Sequence, residues 1–251
     1  MAAMTMNHPP RTISAVLICA HGDGGDAQRN AAIRAVAERV AKRIDLPVAW
    51  AVIKQPETFA AAHAALGAAA QGTVAIYPFF MAEGYFVRVK LPKLLAEAGF
   101  ADTIRLGCFG LDPDLVDIVE HRLRSLASMM GGREPQDCRI AMIAHGSGSG
   151  ETASRTAAEA VVATLASRDL GPIGLGFIEE APFFDDVIHD LRPEIVLGFF
   201  VSEGTHALDD VKTLVDATPS VVHHITAIGT DFTAADLIAK RIEACVSGEI
   251  A

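Results

Sequence analysis

Cysteine is scarce in this chain. The four cysteines are Cys19, Cys108, Cys138 and Cys245, and no two of them are close enough in sequence to form a CxxC pair. This spacing argues against an iron–sulfur cluster, a structural zinc site and a disulfide framework. We therefore expect four small thiols that are packed inside the fold.

Long apolar runs are also missing. Crossing a bilayer takes roughly 20 consecutive apolar residues, whereas the longest runs here, such as 140–144 and 195–201, have the length of strands. The N-terminal residues 1–11 are short and polar and contain two prolines, so they lack the apolar core of a signal peptide. The sequence therefore predicts a cytoplasmic protein with no membrane partner.

The chain has fewer basic than acidic residues. Lysine and arginine together number 21, against 31 aspartates and glutamates, and the formal net charge is −10. An acidic surface repels phosphate backbones, so we expect no nucleic-acid partner. Hydrophobic residues make up 51% of the chain and charged residues 21%, which predicts a folded chain with a buried core instead of a disordered one.

The same pattern of elements occurs twice along the chain, in residues 12–130 and again in residues 137–248. In the first half, apolar runs that predict strands alternate with helical segments: strands 13–20, 48–53, 74–80 and 103–108, and helices 27–44, from 57, 89–98 and 114–129. Residues 130–135 predict a linker. In the second half the predicted strands are 139–144, 173–178, 195–201 and 221–228. One helix is predicted at 151–167, another begins after Pro182, and a final helix follows Gly229 and ends at about residue 245. Apolar strands between amphipathic helices predict parallel sheets covered on both faces.

Landmark residues recur at a nearly constant spacing in the two halves. The pairs are His21 and His145 (124 residues apart), Pro56 and Pro182 (126), Gly84 and Gly204 (120), and Gly110 and Gly229 (119). The segments FFMAEG at 79–84 and FFVSEG at 199–204 also match. Such repetition indicates a duplicated unit. Two copies that face each other would enclose a cleft, which is a natural ligand site.

A histidine follows the first predicted strand of each half, at the edge of the sheet where ligands of open parallel sheets bind. The segment HGSGSG at 145–150 allows four interpretations. A phosphate cradle would need the lysine of a P-loop or GxGxxG spacing, and a phosphohistidine site normally has arginine where Ala144 stands. A metal or proton-transfer site is the third interpretation, and a turn capped by a histidine is the fourth.

A second histidine favours the metal or proton-transfer site. The third predicted strand of the second half leads into Gly204, Thr205 and His206, and Asp210 follows one helical turn later. Ends of neighbouring strands meet at one edge, so His145 and His206 can reach one ion. Imidazole binds cobalt, iron and nickel, and it is a base that titrates near physiological pH. Asp210 can orient His206 or hold an incoming cation.

The first half lacks this histidine pair. Phe86 occupies the place of His206, and Lys90 occupies the place of Asp210. We therefore expect one competent site per chain, with a structural or vestigial role for His21. Arg88, Lys90 and Lys93 form either a solvated helix face or a basic lip for an anionic substrate.

Together these residues resemble a known family. The second half combines His-Gly-Ser at 145–147, Glu179 before Pro182, and Gly204-Thr205-His206 with Asp210. This combination resembles the class II chelatases, the sirohydrochlorin cobalt and iron chelatases of the CbiX/SirB type. The resemblance covers nearly the whole chain, although the first half matches only at His21-Gly22, Pro56 and Gly84. It implies an α/β fold of two tandem chelatase-like (flavodoxin-like) units, each a four-stranded parallel sheet flanked by helices, facing across a cleft.

The resemblance also implies a function. It implies ATP-independent insertion of a divalent metal, cobalt or ferrous iron, into sirohydrochlorin, in cobalamin or sirohaem biosynthesis. The metal (cobalt, iron or nickel) would be a substrate, with no organic cofactor, and the protein would be a monomer or homodimer. The alternative is a non-catalytic carrier or sensor of the same fold that binds a tetrapyrrole or a metal.

Site residues follow from the resemblance and from the positions above. The expected catalytic residues are His145, His206 and Glu179, with Glu180 as an alternative to Glu179. The expected metal-binding residues are His145, His206 and Asp210. The expected substrate-binding residues are Ser147, Gly204, Arg88, Lys90 and Phe86.

Overall fold

The computed structural model describes residues 12–22, 30–202 and 206–250, without the side chains of residues 206–208. The strands are β1 (Ile13–Ala20), β2 (Val48–Val52), β3 (Thr73–Pro78), β4 (Thr103–Arg105), β5 (Ile140–Ala144), β6 (Ile173–Phe177), β7 (Ile195–Gly198) and β8 (His223–Ile225). The α-helices are α1 (Ala31–Ala41), α2 (Glu57–Leu66), α3 (Leu91–Glu97), α4 (Leu115–Met129), α5 (Ala153–Ala166), α6 (Phe184–Leu191), α7 (His206–Asp216) and α8 (Ala234–Val246).

The strands form two parallel sheets of identical topology. Their orders are β2-β1-β3-β4 and β6-β5-β7-β8. Even the register repeats, because Ala20 pairs with Val52 in the first sheet and Ala144 pairs with Phe177 in the second. The predicted α/β fold of two tandem units is therefore confirmed.

Both faces of each sheet are buried, as the continuous apolar strands predict. In β1, Leu17 and Cys19 face the outer helices α2 and α3, while Val16 and Ile18 face the opposite side. Side chains alternate between the two faces of a strand, so a strand covered on both sides must be apolar throughout.

Four helices lie between the two sheets and join the units through one continuous core. They are α1 and α4 from the first unit and α5 and α8 from the second. In α1 the buried residues Ile33, Val36, Ala37 and Val40 have the spacing of one helix face. Helices α6 and α7 cover the outer face of the second sheet. The two units thus pack against each other through their inner helices.

Reciprocal ion pairs link the two units. Arg241 of α8 binds Asp112 of the first unit, and Arg122 of α4 faces Asp231 of the second. Both members of one pair lie 119 residues from their counterparts in the other. The interface therefore repeats the duplication of the sequence, as the same surface is used by both copies.

Several element boundaries differ from the prediction. The edge strands β4 and β8 are only three residues long, and each is followed by a 3₁₀ turn, Phe109–Leu111 or Ile228–Thr230. The strands predicted at 74–80 and 195–201 end earlier, at Pro78 and Gly198. A π-helical turn, Phe86–Lys90, precedes α3. The predicted start of the first helix at residue 27 lies outside the described residues.

All four cysteines are buried free thiols, as expected. Burial raises the pKa of the Cys19 thiol, and it raises the pKa of Cys108 to about 12. Such thiols are poor nucleophiles and poor metal ligands, because the thiolate is the reactive form. In the part of the chain that the structure describes, no helix is long and apolar enough to cross a membrane.

Candidate functional site

A cavity of about 650 Å³ opens between the two units, at the carboxyl ends of the strands of both sheets. Its walls come from the loops that follow β1, β3, β5, β6 and β7 and from the start of α5. The described polar and aromatic residues that line it include His21, Tyr85, Phe86, His145, Ser147, Glu151 and Glu179. This volume lies within the range of small-molecule sites.

The loop after β5, called here the histidine loop (residues 145–150), is held in place by hydrogen bonds from its backbone amides to neighbouring side chains. The N–H of Gly146 donates to Ser154 Oγ at 3.2 Å, that of Ser147 to Glu180 Oε1 at 3.1 Å, and that of Gly148 to Glu179 Oε2 at 3.1 Å. A phosphate would need these same amides. The geometry therefore argues against the phosphate cradle.

Gly146 is required at its position in this loop. Its φ is +71°, and a Cβ there would stand 2.8 Å from Glu180 Cγ. Only glycine adopts this backbone without strain while leaving room for a neighbouring side chain. Gly22, its counterpart in the first unit, has a φ of +73°, so both histidines leave their strands through the same turn.

His145 and Glu179 form a pair at the rim of the second sheet. His145 Nδ1 lies 3.7 Å from Glu179 Oε2, and the side chains are 45% and 47% exposed. The backbone N–H of Glu179 donates to the carbonyl oxygen of His145 at 3.0 Å, which holds the two residues side by side. A carboxylate near Nδ1 favours the proton on that nitrogen, which leaves the Nε2 lone pair for a metal or a proton.

The neighbouring Glu180 is arranged differently. Its Oε2 accepts two hydrogen bonds from Arg155, at 2.9 and 2.7 Å, and its Oε1 accepts the Ser147 N–H. Both oxygens of Glu180 are therefore engaged within the protein. Of the two adjacent glutamates, Glu179 lines the cavity and carries the contact with His145.

The wall contributed by the first unit is aromatic. Tyr85 and Phe86 are 47% and 38% exposed although both are large and apolar. The ring of Phe86 packs edge-on against His21 with a centroid distance of 4.6 Å. Arg88 and Lys90 are exposed on the same π-helical turn, outside the set of described residues that line the cavity.

The remaining predicted residues follow β7. This strand neighbours β5, and α7 begins at His206, so the backbone carries His206 to the same edge of the sheet as His145. The His206 side chain and Gly204 lie outside the described part. Asp210 is exposed in the second turn of α7. Among the described side chains alone, no three metal-binding residues lie together.

Comparison with known proteins places the chain in a family. A family model for CbiX matches residues 15–126. The solved structure of CbiX, described as the terminal enzyme for biosynthesis of sirohaem in denitrifying bacteria, is similar at 32% identity, covers 92% of this chain and 98% of its own, and has a TM-score of 0.74. The chain belongs to the CbiX family of chelatases.

Two more distant structures share the CbiX fold. SirB from Bacillus subtilis with Fe³⁺ has 15% identity and a TM-score of 0.72, and it covers 94% of this chain and 96% of its own. The sirohydrochlorin chelatase SirB from Bacillus subtilis subspecies spizizenii in complex with cobalt has 16% identity, the same coverage and a TM-score of 0.67. At such identities the likeness concerns the fold. No curated protein matches the sequence.

Sequence reasoning missed two residues of this CbiX family member. Glu151 lines the cavity, and its Oε2 lies 3.4 Å from the point where a Cβ on Gly84 of the other unit would stand. Lys54 donates its backbone N–H to the His21 carbonyl oxygen at 3.0 Å, just as Glu179 does to His145. Lys54 and Glu179 are 125 residues apart, one more than the paired histidines, so only the matching backbone hydrogen bonds reveal that the charge at this corner is reversed between the units.

Proposed function

We propose that this chain inserts a divalent metal, cobalt or ferrous iron, into sirohydrochlorin without ATP, in cobalamin or sirohaem biosynthesis. The observation that carries the proposal is the His145–Glu179 pair, which faces an aromatic wall across a cavity of about 650 Å³. Family membership supports chelation as the type of reaction. The SirB structures with Fe³⁺ and with cobalt suggest the metals to test first.

Metal insertion exchanges two pyrrole N–H protons for one divalent cation. The macrocycle must lose both protons, and the ion must lose its water. In our proposal, His145 and His206 hold the metal or accept the protons through their ring nitrogens, on one face of the ring. Glu179 orients His145 through Nδ1 and passes protons or cations onward, while Asp210 attracts the incoming cation.

The aromatic wall would take the opposite face of the macrocycle. Tyr85 and Phe86 are exposed within the cavity, where a flat apolar ring can cover them. Covering exposed apolar surface is favourable, and aromatic rings add stacking energy. The proposed arrangement delivers the metal from the second unit to a macrocycle that rests on the first. Ser147 and Gly204 would contact the substrate near the histidines.

An absorbance time course of purified protein with sirohydrochlorin and Co²⁺, with Fe²⁺ and Ni²⁺ in parallel, tests this function. We expect many product molecules per chain and a rate above that of the protein-free reaction, and the three rates will rank the metals. A spectral change that stops at one equivalent per chain would instead identify a carrier or sensor.

Basic residues of the first unit are proposed to bind the carboxylates of the substrate. Lys54 stands beside His21 at the corner where the second unit has Glu179, and Arg88 and Lys90 lie on the π-helical turn. Replacing Lys54 by glutamate adds repulsion between two negative charges, so we expect the KM for sirohydrochlorin to rise about 10-fold with little change in kcat.

Lys42→Glu is the matched control for Lys54→Glu. Lys42 is exposed at the far end of α1, which runs away from the cavity toward the amino end of β2. The change in net charge is the same, so a general electrostatic effect would raise both KM values equally. Such an equal rise would exclude a local role for Lys54.

A further inference from the structure

Arg155 and Glu180 form a clamp beside the cavity. Two nitrogens of the Arg155 guanidinium donate to Glu180 Oε2, at 2.9 and 2.7 Å, and one of them also donates to the carbonyl oxygen of Ala181. The guanidinium carbon lies 4.3 Å from the centroid of the Phe177 ring. These contacts fix Arg155, at the start of α5, to the last residue of β6 and to the loop that follows it.

The clamp also reaches the histidine loop. Glu180 Oε1 accepts the Ser147 N–H at 3.1 Å, and Glu180 Cγ fills the space that a Cβ on Gly146 would occupy. Glu179 precedes Glu180 in the chain and accepts the next amide, that of Gly148. The two adjacent glutamates therefore bind two adjacent amides, so the position of Glu179 relative to His145 depends on where Glu180 is held.

In the described part of the first unit, a neutral pair stands where the second unit has this charged clamp. Gln55 stands one residue after Lys54, in the place of Glu180, and its side-chain oxygen accepts a hydrogen bond from Asn30 at 3.0 Å. Ala31 stands 124 residues before Arg155. The same two loops are joined there by a neutral amide pair. The arginine–carboxylate pair is thus found in the unit that carries His145 and His206.

We propose that Arg155 is a positioning residue for the reaction of the second unit. By binding Glu180 Oε2, Arg155 holds this carboxylate where its Oε1 accepts the Ser147 N–H, which keeps the histidine loop against the β6 loop and leaves Glu179 beside His145. This inference rests on the proposed function and adds a residue that does not line the cavity. Residues that orient a ligand or a base typically contribute 10- to 100-fold to activity.

Arg155→Ala, Arg155→Lys and Arg34→Ala test the clamp. For Arg155→Ala we expect kcat to fall about 10- to 100-fold, with KM within about threefold of the wild-type value. Hydrogen exchange at the Ser147 and Gly148 amides should accelerate. Lysine keeps the positive charge but lacks the planar guanidinium group. We therefore expect Arg155→Lys to have a kcat and an amide exchange rate between those of Arg155→Ala and the wild type. Arg34 pairs with Glu38 four residues on, as Arg155 does with Glu159, and Arg34→Ala should resemble the wild type.

The two measurements separate this inference from the proposed function. Unchanged exchange in Arg155→Ala overturns the clamp, and so does a kcat per folded molecule that stays within about threefold of wild type. A lower melting temperature with unaltered kcat would assign Arg155 a purely structural role and also overturn it. If the wild-type protein inserts no metal, the proposed function fails, and the exchange data alone then decide whether Arg155 orders the histidine loop.

Discussion

Replacing either His145 or His206 by alanine is expected to abolish metal insertion while leaving the fold intact. His145 lies at the rim of the cavity with 45% of its side chain exposed, so its loss removes a ligand or base without opening the core. We expect kcat to fall about 100-fold or more, the usual contribution of a positioned acid or base. The measurement is the sirohydrochlorin time course, with circular dichroism to confirm folding.

Two histidine controls make this result specific. His189→Ala removes an exposed histidine near the end of α6 and should leave turnover unchanged. His21→Ala alters the counterpart of His145, which packs on Phe86, and should reduce turnover far less than His145→Ala does. Wild-type turnover in either the His145 or the His206 variant would show that the reaction does not depend on the histidine pair of the second unit.

Replacing Arg241 by methionine is expected to destabilise the whole chain by about 3 kcal/mol, because it strands a buried carboxylate. Arg241 donates to both oxygens of Asp112, at 2.6 and 2.8 Å, and the Asp112 side chain is 5% exposed. The bond to Asp112 raises the pKa of Arg241, as expected for a close ion pair. For a chain of this length the melting temperature should fall by about 6–12 °C.

Arg122→Met is the matched control, because Arg122 is the counterpart of Arg241 in the duplicated interface. Asp231 is buried like Asp112, with 8% of its side chain exposed, but Arg122 Nε is 3.7 Å away and 41% of the Arg122 side chain is exposed. Asp231 keeps two hydrogen bonds from Thr233 when Arg122 is replaced. We expect a loss below about 1 kcal/mol. Thermal and urea unfolding should each give a single transition, since the units share one core. Equal losses in the two variants would contradict the assigned difference in hydrogen bonding.

Much of the fold can be predicted from the sequence, because the pattern that determines it is local and occurs twice. Continuous apolar strands predict sheets covered on both faces, and the repeat of His21 at His145 predicts two copies. The shared topology follows from that repeat. The end of a strand such as β4 is less predictable, since it depends on how far its single neighbour pairs with it.

Part of the candidate site was also visible in the sequence. The histidines after β1 and β5 are predicted at the carboxyl edges of the sheets, and the structure places His21 and His145 on one cavity. Glycine at the following position indicates the turn that carries them there. The interpretation of Phe86 as a lining residue came from counting along the repeat. The assigned roles of these residues remain predictions.

Only the tertiary structure decides which polar groups already have a hydrogen-bond or ion-pair partner within the protein. The sequence does not distinguish Glu179 from Glu180. In the structure, Arg155, which is 25 residues before Glu180, binds Glu180, whereas Glu179 lies beside His145. Lys54 and Glu179 are recognised as counterparts of opposite charge only in the folded chain, where Lys54 lies beside His21 and Glu179 lies beside His145. Repeats and strands depend on spacing along the chain, whereas charge pairing depends on distances between atoms that folding brings together.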